Sequence, residues 1–131
     1  MIRYKVVRPN FGHRYSCYAV GRYQLSYRKN TIITAKEGTL GIAVFERIHQ
    51  AKKFIAEEWG RSYIIIRVSS IGRGKRYRFA CTLQDEQNLD IFYGRHTKNL
   101  SALLKVNISE YGSLLQCPPG TIFYQQVKVL E

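Results

Sequence analysis

Acidic residues are scarce in this chain of 131 residues, which has 9 Asp plus Glu against 21 Lys plus Arg and a formal net charge of +12. The segments 1–36 and 61–83 contain no acidic residue, and with eight and six basic residues they hold 14 of the 21. A surface field of one sign concentrates anions. We therefore expect an anionic partner: a nucleotide, a nucleic acid or phospholipid head groups. The alternative is a basic exterior that only keeps the domain soluble.

Long apolar runs are also missing. The longest, residues 41–45 and 64–66, fall far short of the roughly 20 residues that a membrane-spanning helix needs. The first residues show no continuous apolar stretch of a secretory signal, so we expect a cytoplasmic protein that makes no membrane contact. The three cysteines, Cys17, Cys81 and Cys117, are widely spaced without a Cys-x-x-Cys pair, which favours reduced thiols over disulfides.

Signatures of metal binding and catalysis are sparse. Zinc requires four clustered Cys or His ligands, and no such cluster is present in the sequence, so we expect no metal and no cofactor. The acidic residues within 85–90 lack the spacing of a two-metal site. A nucleophilic pair of Cys81 or Cys117 with His96 is a weak candidate, because isolated cysteines are more often buried hydrophobic residues. Binding needs only charge, donors and stacking surface, so we expect a binding protein without enzymatic activity.

The composition predicts a single domain, residues 1–131, of the α+β class. With 45% hydrophobic and 13% aromatic residues the chain has enough apolar surface to form a packed core. One main helix is predicted over residues 46–59, where Ile48, Ala51, Ile55 and Trp59 recur on one face. We expect this helix to pack on a curved, mostly antiparallel sheet.

Alternation of apolar and polar residues predicts the strands of that sheet, at 2–8, 15–20, 23–27, 31–34, 41–45, 62–69, 76–83 and 122–130. The first third is expected to form a meander. Strands 62–69 and 76–83 are expected to form a hairpin around the flexible turn 71–75. Residues 89–93 are predicted as a short strand and 99–105 as a short helix or irregular segment. Most of the ten tyrosines are expected in the core, with the basic residues outside.

Three segments of the chain have the pattern of small phage proteins. They are the opening strand 4–8, the strand 41–45 running into Ala51-Lys52-Lys53-Phe54, and the ending 119–121 with Val127-Lys128-Val129. Together they resemble the phage Thoeris anti-defence proteins, which act as sponges for cyclic ADP-ribose signals. The resemblance implies an oligomeric, non-enzymatic protein of the host cytoplasm, phage-encoded, that sequesters a nucleotide second messenger before it activates a host effector.

Candidate ligand-binding residues follow from charge, rings and accessible backbone. Arg67 interrupts an apolar strand, and Arg28 with Lys29 ends another. Residues 92–95 place two rings, a glycine and a guanidinium together, while Gly120 and Thr121 offer backbone and a hydroxyl donor. The ordinary alternatives are an outward-facing Arg67 and a Phe92 in the core. The predicted set is Arg28, Arg67, Arg73, Arg76, Phe92, Tyr93, Arg95, Asn99, Gly120 and Thr121.

Three functions remain open from the residues alone. The first is a sponge for a nucleotide-like anion, held by arginines and a stacking ring. The second is binding of nucleic acid, either RNA or single-stranded DNA. The third is a basic ribonuclease-like toxin. A nucleotide-sized site is expected between the subunits of a homo-oligomer, since a chain of this length fills its own interior, and the strands 2–8 and 122–130 are the expected contact edges.

Overall fold

A computed structural model describes residues 1–16, 24–36, 40–57, 62–77, 79–83 and 112–131 of the chain, with the backbone alone for 79–83 and 112–116. Within these ranges seven strands form one curved, mostly antiparallel sheet that does not close, and two more form a separate small sheet. One helix accompanies them. The predicted α+β class with one main helix is confirmed.

The strands are short apart from two that cross the middle of the sheet. The large sheet has the order β3-β9-β5-β1-β4-β8, with β2 paired to β1, and the small sheet pairs β6 with β7. The elements are β1 (Ile2–Asn10), β2 (His13–Ser16), β3 (Ile32–Thr34), β4 (Ile42–Phe45), α1 (Ile48–Glu57), β5 (Ile64–Ile71), β6 (Phe79–Leu83), β7 (Gly112–Gln116), β8 (Thr121–Tyr124) and β9 (Gln126–Val129).

Strand β1 organises the core because its residues alternate between the two faces of the sheet. Val6 lies opposite Ile65 of β5 and packs on the face that α1 covers, beside Phe45 and the fully buried Ala51. Val7 points to the opposite face, where it is also fully buried. The cluster on that face, which we call the Val7 core, is formed with Tyr27, Ile42, Val44, Ile66, Val68, Ile122, Tyr124, Val127 and Val129. Burial of each such aliphatic side chain contributes about 1.5–3 kcal/mol to folding.

Helix α1 confirms the predicted helix but begins two residues later. The backbone N–H of Glu46 donates to the carbonyl oxygen of Gly120 at 2.9 Å, so this residue still belongs to the sheet edge. At the next residue, Arg47, the backbone N–H donates to Oε1 of Gln50 at 2.9 Å, which is one half of a capping box. The helix therefore starts at Ile48. Residues 58 and 59 of the predicted helix lie outside the described residues.

The predicted hairpin of strands 62–69 and 76–83 is wrong. Both edges of β5 are occupied, by β1 on one side and β9 on the other, so no edge remains for the strand that follows. After β5 the chain instead crosses to β8, where Lys75 and Phe123 exchange two backbone hydrogen bonds of 2.8 and 2.9 Å. Strand β6 pairs with β7 in the small sheet.

The predicted last strand, 122–130, is two strands separated by the exposed Gln125. Strand β8 pairs with β4, whereas β9 lies between β5 and β3. The expectation that strands 2–8 and 122–130 offer free edges is wrong for β1 and β9, which are paired on both sides. Strand β8 is the last strand of the large sheet, and its outer side carries the bridge from Phe123 to Lys75. Among the described strands β3 is an edge strand, and its Ile32 is exposed.

The first third is a meander only at its start. Strands β1 and β2 form the expected hairpin, in register from Val7 and Ser16 to Asn10 and His13. Strand β3 then pairs with β9 and not with its predecessor, so the meander does not extend to it. Of the predicted strand 23–27, Ser26 forms one bridge to Tyr15. Residues 17–23, which include part of two predicted strands, lie outside the described residues, as do 89–93 and 99–105.

A candidate anion-binding groove

A groove of about 550 Å³ opens beside the β1–β2 hairpin. One wall is formed by Gly12, His13 and Arg14 of the hairpin, and the other by Ser26, Tyr27, Arg28 and Lys29, with Glu131 at one side. We call this surface the basic groove. Three of its residues, Arg14, Arg28 and Lys29, carry positive charge, and Glu131 is the acidic residue among those that line it.

The second wall is held in place by backbone contacts with β2. The N–H of Ser16 donates to the carbonyl oxygen of Leu25 at 3.1 Å, and the Ser16 hydroxyl accepts from the N–H of Leu25 at 3.0 Å. The N–H of Tyr27 donates to the carbonyl oxygen of Arg14 at 2.8 Å. Tyr27 is almost completely buried in the Val7 core and so anchors this segment. The next two residues, Arg28 and Lys29, are exposed.

The Arg14 guanidinium is oriented by two main-chain oxygens of residues that line the groove. Its Nε donates to the carbonyl of Tyr27 at 2.9 Å, and its Nη1 donates to the main-chain oxygen of Glu131. These bonds fix the direction of the guanidinium, and the negative charge of Glu131 lies close enough to attract it. An arginine held in this way loses little conformational freedom when it binds an anion.

Arg67, a predicted ligand residue, has an anionic partner within the chain. Oε1 of Glu131 accepts from the Arg67 backbone N–H at 3.0 Å, and Oε2 lies 3.3 Å from the guanidinium. These hydrogen bonds lower the pKa of the Glu131 carboxyl below its ordinary value. The Arg67 side chain is 54% exposed, and its role in binding an external ligand stays a prediction.

Two other predicted residues contact Glu46, Arg76 at its carboxylate and Gly120 at its backbone N–H. Its carboxylate lies 3.0 Å from the Arg76 guanidinium and 3.9 Å from that of Arg3, and its pKa is lowered, chiefly by the hydrogen bond from Arg76. Gly120 accepts from the Glu46 N–H, as described above. The next residue, Thr121, is buried and donates its hydroxyl to the carbonyl of Pro118 at 2.7 Å, which uses the donor that was expected to face a ligand.

The structure thus divides the predicted set. Arg28 lines the basic groove, Arg76, Gly120 and Thr121 lie at or beside Glu46, and Arg67 is paired with Glu131 at the groove's side. Arg73 is exposed in the turn after β5. Phe92, Tyr93, Arg95 and Asn99 lie outside the described residues. The sequence analysis did not select His13 and Arg14 as site residues. The feature that could have indicated them is their position beside a predicted turn in the basic segment 1–36.

The described residues give no support to a reactive cysteine or a metal centre. Burial raises the pKa of the Cys117 thiol to about 11, and a protonated thiol is a poor nucleophile. Cys17 and the side chain of Cys81 lie outside what the structure describes. No group of three or more possible metal ligands occurs in the described part of the chain. No helix there is long and apolar enough to cross a bilayer.

Comparison with known protein families, characterised proteins and solved structures finds no match for this chain. Its function is therefore argued from the groove itself.

The two carboxylates predict how stability depends on pH. Because the pKa values of Glu46 and Glu131 are lowered in the folded state, their ion pairs stabilise the protein above the ordinary carboxyl pKa of 4.5. This contribution is lost as the pH falls below that value and through the lowered pKa values. We expect the double variant E46Q/E131Q to lose less stability than the wild type between pH 5 and 3 in denaturant titrations.

The matched control for this prediction is Glu57→Gln, which removes an exposed carboxylate at the end of α1. It should follow the wild-type acid profile. An unchanged acid profile in the double variant would show that other groups control the acid transition.

Proposed function

We propose that this protein is a non-enzymatic binding protein that sequesters a nucleotide-type second messenger, of the cyclic nucleotide or cyclic ADP-ribose class, in the basic groove. The observation that carries the proposal is the convergence of Arg14, Arg28 and Lys29 on one groove of about 550 Å³. Sites for small molecules typically have volumes of about 300–1,000 Å³. The groove therefore has the charge and the size for one nucleotide.

The three cations suit a phosphate in different ways. A guanidinium presents a planar fork that binds two phosphate oxygens, whereas an ammonium acts as a compact point charge. Arg14 is already oriented by the carbonyls of Tyr27 and Glu131. Arg28 and Lys29 are exposed at the rim and are free to close on the ligand.

The carboxylate that lines the groove is a poor general base, and His13 is the other lining residue whose side chain could serve as one. A general base at neutral pH works best with a pKa near 7. The acidic residue of the groove, Glu131, has a lowered pKa and is held by two contacts to Arg67. It is therefore a weak base at neutral pH.

The resemblance to phage anti-defence proteins extends this proposal to an immune-evasion role. The protein would act in the host cytoplasm and would associate with further copies of itself. Strands β1 and β9, first expected to mediate assembly, are paired on both sides, so the contact is assigned to another edge. Strand β3, with Ile32 exposed, is an edge strand of the described sheet and the candidate contact for a second copy.

Binding of single-stranded nucleic acid is the second candidate. The observation that favours it is the exposed run Arg28-Lys29-Asn30 at the rim of the groove, since neighbouring exposed cations also suit a continuous phosphate backbone. In that case affinity should fall steeply with salt, because each neutralised phosphate releases counterions.

The test is calorimetric titration with cyclic nucleotides, cyclic ADP-ribose and an eight-nucleotide single strand. We expect a nucleotide to bind and to be recovered chemically unchanged, and the double variant R28A/K29A to bind it at least about tenfold more weakly. The control is K52A/K53A, which removes the same charge from two exposed positions of α1. It should bind as the wild type does.

Three results would contradict the first proposal. They are the absence of binding by every nucleotide, an equal loss of affinity in the K52A/K53A control, and conversion of the nucleotide into a product. Tighter binding of the single strand, with strong salt dependence, would establish the second candidate. Light scattering with and without the bound nucleotide tests self-association.

A further inference from the structure

The tip of the β1–β2 hairpin carries a phenylalanine that is 97% exposed. Phe11 and Gly12 form the two-residue turn between Asn10 and His13, with φ angles of 48° and 81°. Two-residue hairpin turns with both φ angles positive strongly favour Asn, Asp or Gly. A bulky side chain in this left-handed region is uncommon and costs on the order of 1 kcal/mol.

Folding does not account for a phenylalanine at this position. Its ring is almost fully exposed, so it buries little apolar surface, and its backbone conformation is disfavoured. The other non-glycine residue with positive φ in the described chain is Asn30, a residue type that tolerates this conformation. An outlier that the fold does not require points to a role in binding.

The surroundings of Phe11 indicate which ligand that role concerns. The two residues that follow it, Gly12 and His13, line the basic groove, and consecutive Cα atoms are about 3.8 Å apart. Phe11 therefore directly adjoins, along the chain, the wall of a site that presents Arg14, Arg28 and Lys29. A flat apolar ring beside several cations is the combination that binds a nucleobase and its phosphate together.

We infer that Phe11 is a stacking platform for an unpaired nucleobase whose phosphate lies in the basic groove. The inference rests on the proposed function and narrows it, since it requires the ligand to carry an accessible flat base. The base belongs either to a free nucleotide or to a single strand, and the experiment below separates these sources. Stacking of a base on an aromatic side chain typically changes affinity by about 5- to 150-fold.

The experiment compares AMP with ribose 5-phosphate, which keeps the sugar and phosphate but lacks the base. Wild-type protein should bind AMP at least about fivefold more tightly, and F11A should reduce AMP affinity to that of ribose 5-phosphate. Phe11→Trp should retain the preference, and stacking of AMP should quench the fluorescence of the added indole. The control, Ile48→Ala, removes another exposed apolar side chain, at the start of α1, and should change neither affinity.

The outcomes separate this inference from the proposed function. Equal affinity for AMP and ribose 5-phosphate, with both lost in R28A/K29A, would overturn the role of Phe11 and leave the phosphate site standing. Failure of both probes to bind would overturn the role of Phe11, and the proposed function would then be decided by the titration with cyclic nucleotides and cyclic ADP-ribose. An eight-nucleotide adenine strand completes the test. If F11A lowers the affinity for AMP, the base belongs to a free nucleotide. If F11A lowers the affinity for the strand alone, the base belongs to a single strand.

Discussion

Replacing Gly74 by alanine should destabilise the protein by about 1–3 kcal/mol or more, because the new methyl group would overlap packed side chains. A Cβ atom at this position would lie 2.4 Å from Cγ2 of Ile122 and 2.7 Å from Cζ of Tyr124. Ile122 and Tyr124 are buried, at 4% and 5% exposure, and belong to the Val7 core. They have little room to move, so the clash would displace the backbone where it crosses β8.

Gly72, two residues earlier, provides the matched control. It has a positive φ of 78°, but a Cβ there would meet nothing within 4 Å. Gly72→Ala should therefore cost only the backbone term, about 1–2 kcal/mol. Denaturant titrations of the two variants measure the difference directly, and a Gly74→Ala variant no less stable than Gly72→Ala would show that the crossing is not packed as described.

These two glycines illustrate what the sequence did and did not reveal. The residues 71–75 were predicted as a flexible hairpin turn from their glycine content. Period-two alternation identified most of the strands, because it depends on each strand's own residues. It did not identify their partners, because pairing depends on which edges remain free. Gly74 is needed for the close approach to β8, and no local pattern encodes β8 as its neighbour.

The candidate site was predictable in part for the same reason. Arg28 was found from local charge, since it ends an apolar run. The groove itself depends on the hairpin residues Gly12–Arg14 meeting the segment around Tyr27, and on Glu131 from the far end of the sequence. Arg67 was predicted to bind an external anion, and in the structure it pairs with Glu131, a residue 64 positions away. Contacts between such distant positions leave no spacing pattern.

Lys5 departs from the expected separation of an aromatic core and a basic exterior. It alternates with Tyr4 and Val6, so it points to the same face as Val7, and it is only 9% exposed. Its Nζ donates to the carbonyl oxygen of Ala43 at 2.9 Å and lies 5.4 Å from the centre of the Tyr27 ring. A carbonyl oxygen and a ring face are both electron-rich, so this environment accepts a cation and repels an anion.

Substitution of Lys5 by glutamate should therefore prevent stable folding, while Lys5→Met should fold. A buried charge without a compensating partner costs about 3–5 kcal/mol, a large share of a total stability of about 5–15 kcal/mol. Methionine has a similar length and keeps the apolar contacts of the lysine stem, so it loses mainly one hydrogen bond, worth about 1 kcal/mol. Circular dichroism and thermal unfolding would distinguish the two variants. Equal stability of Lys5→Glu and Lys5→Met would mean that this side chain is solvated, and that water reaches Ala43 and Tyr27 on this face of the sheet.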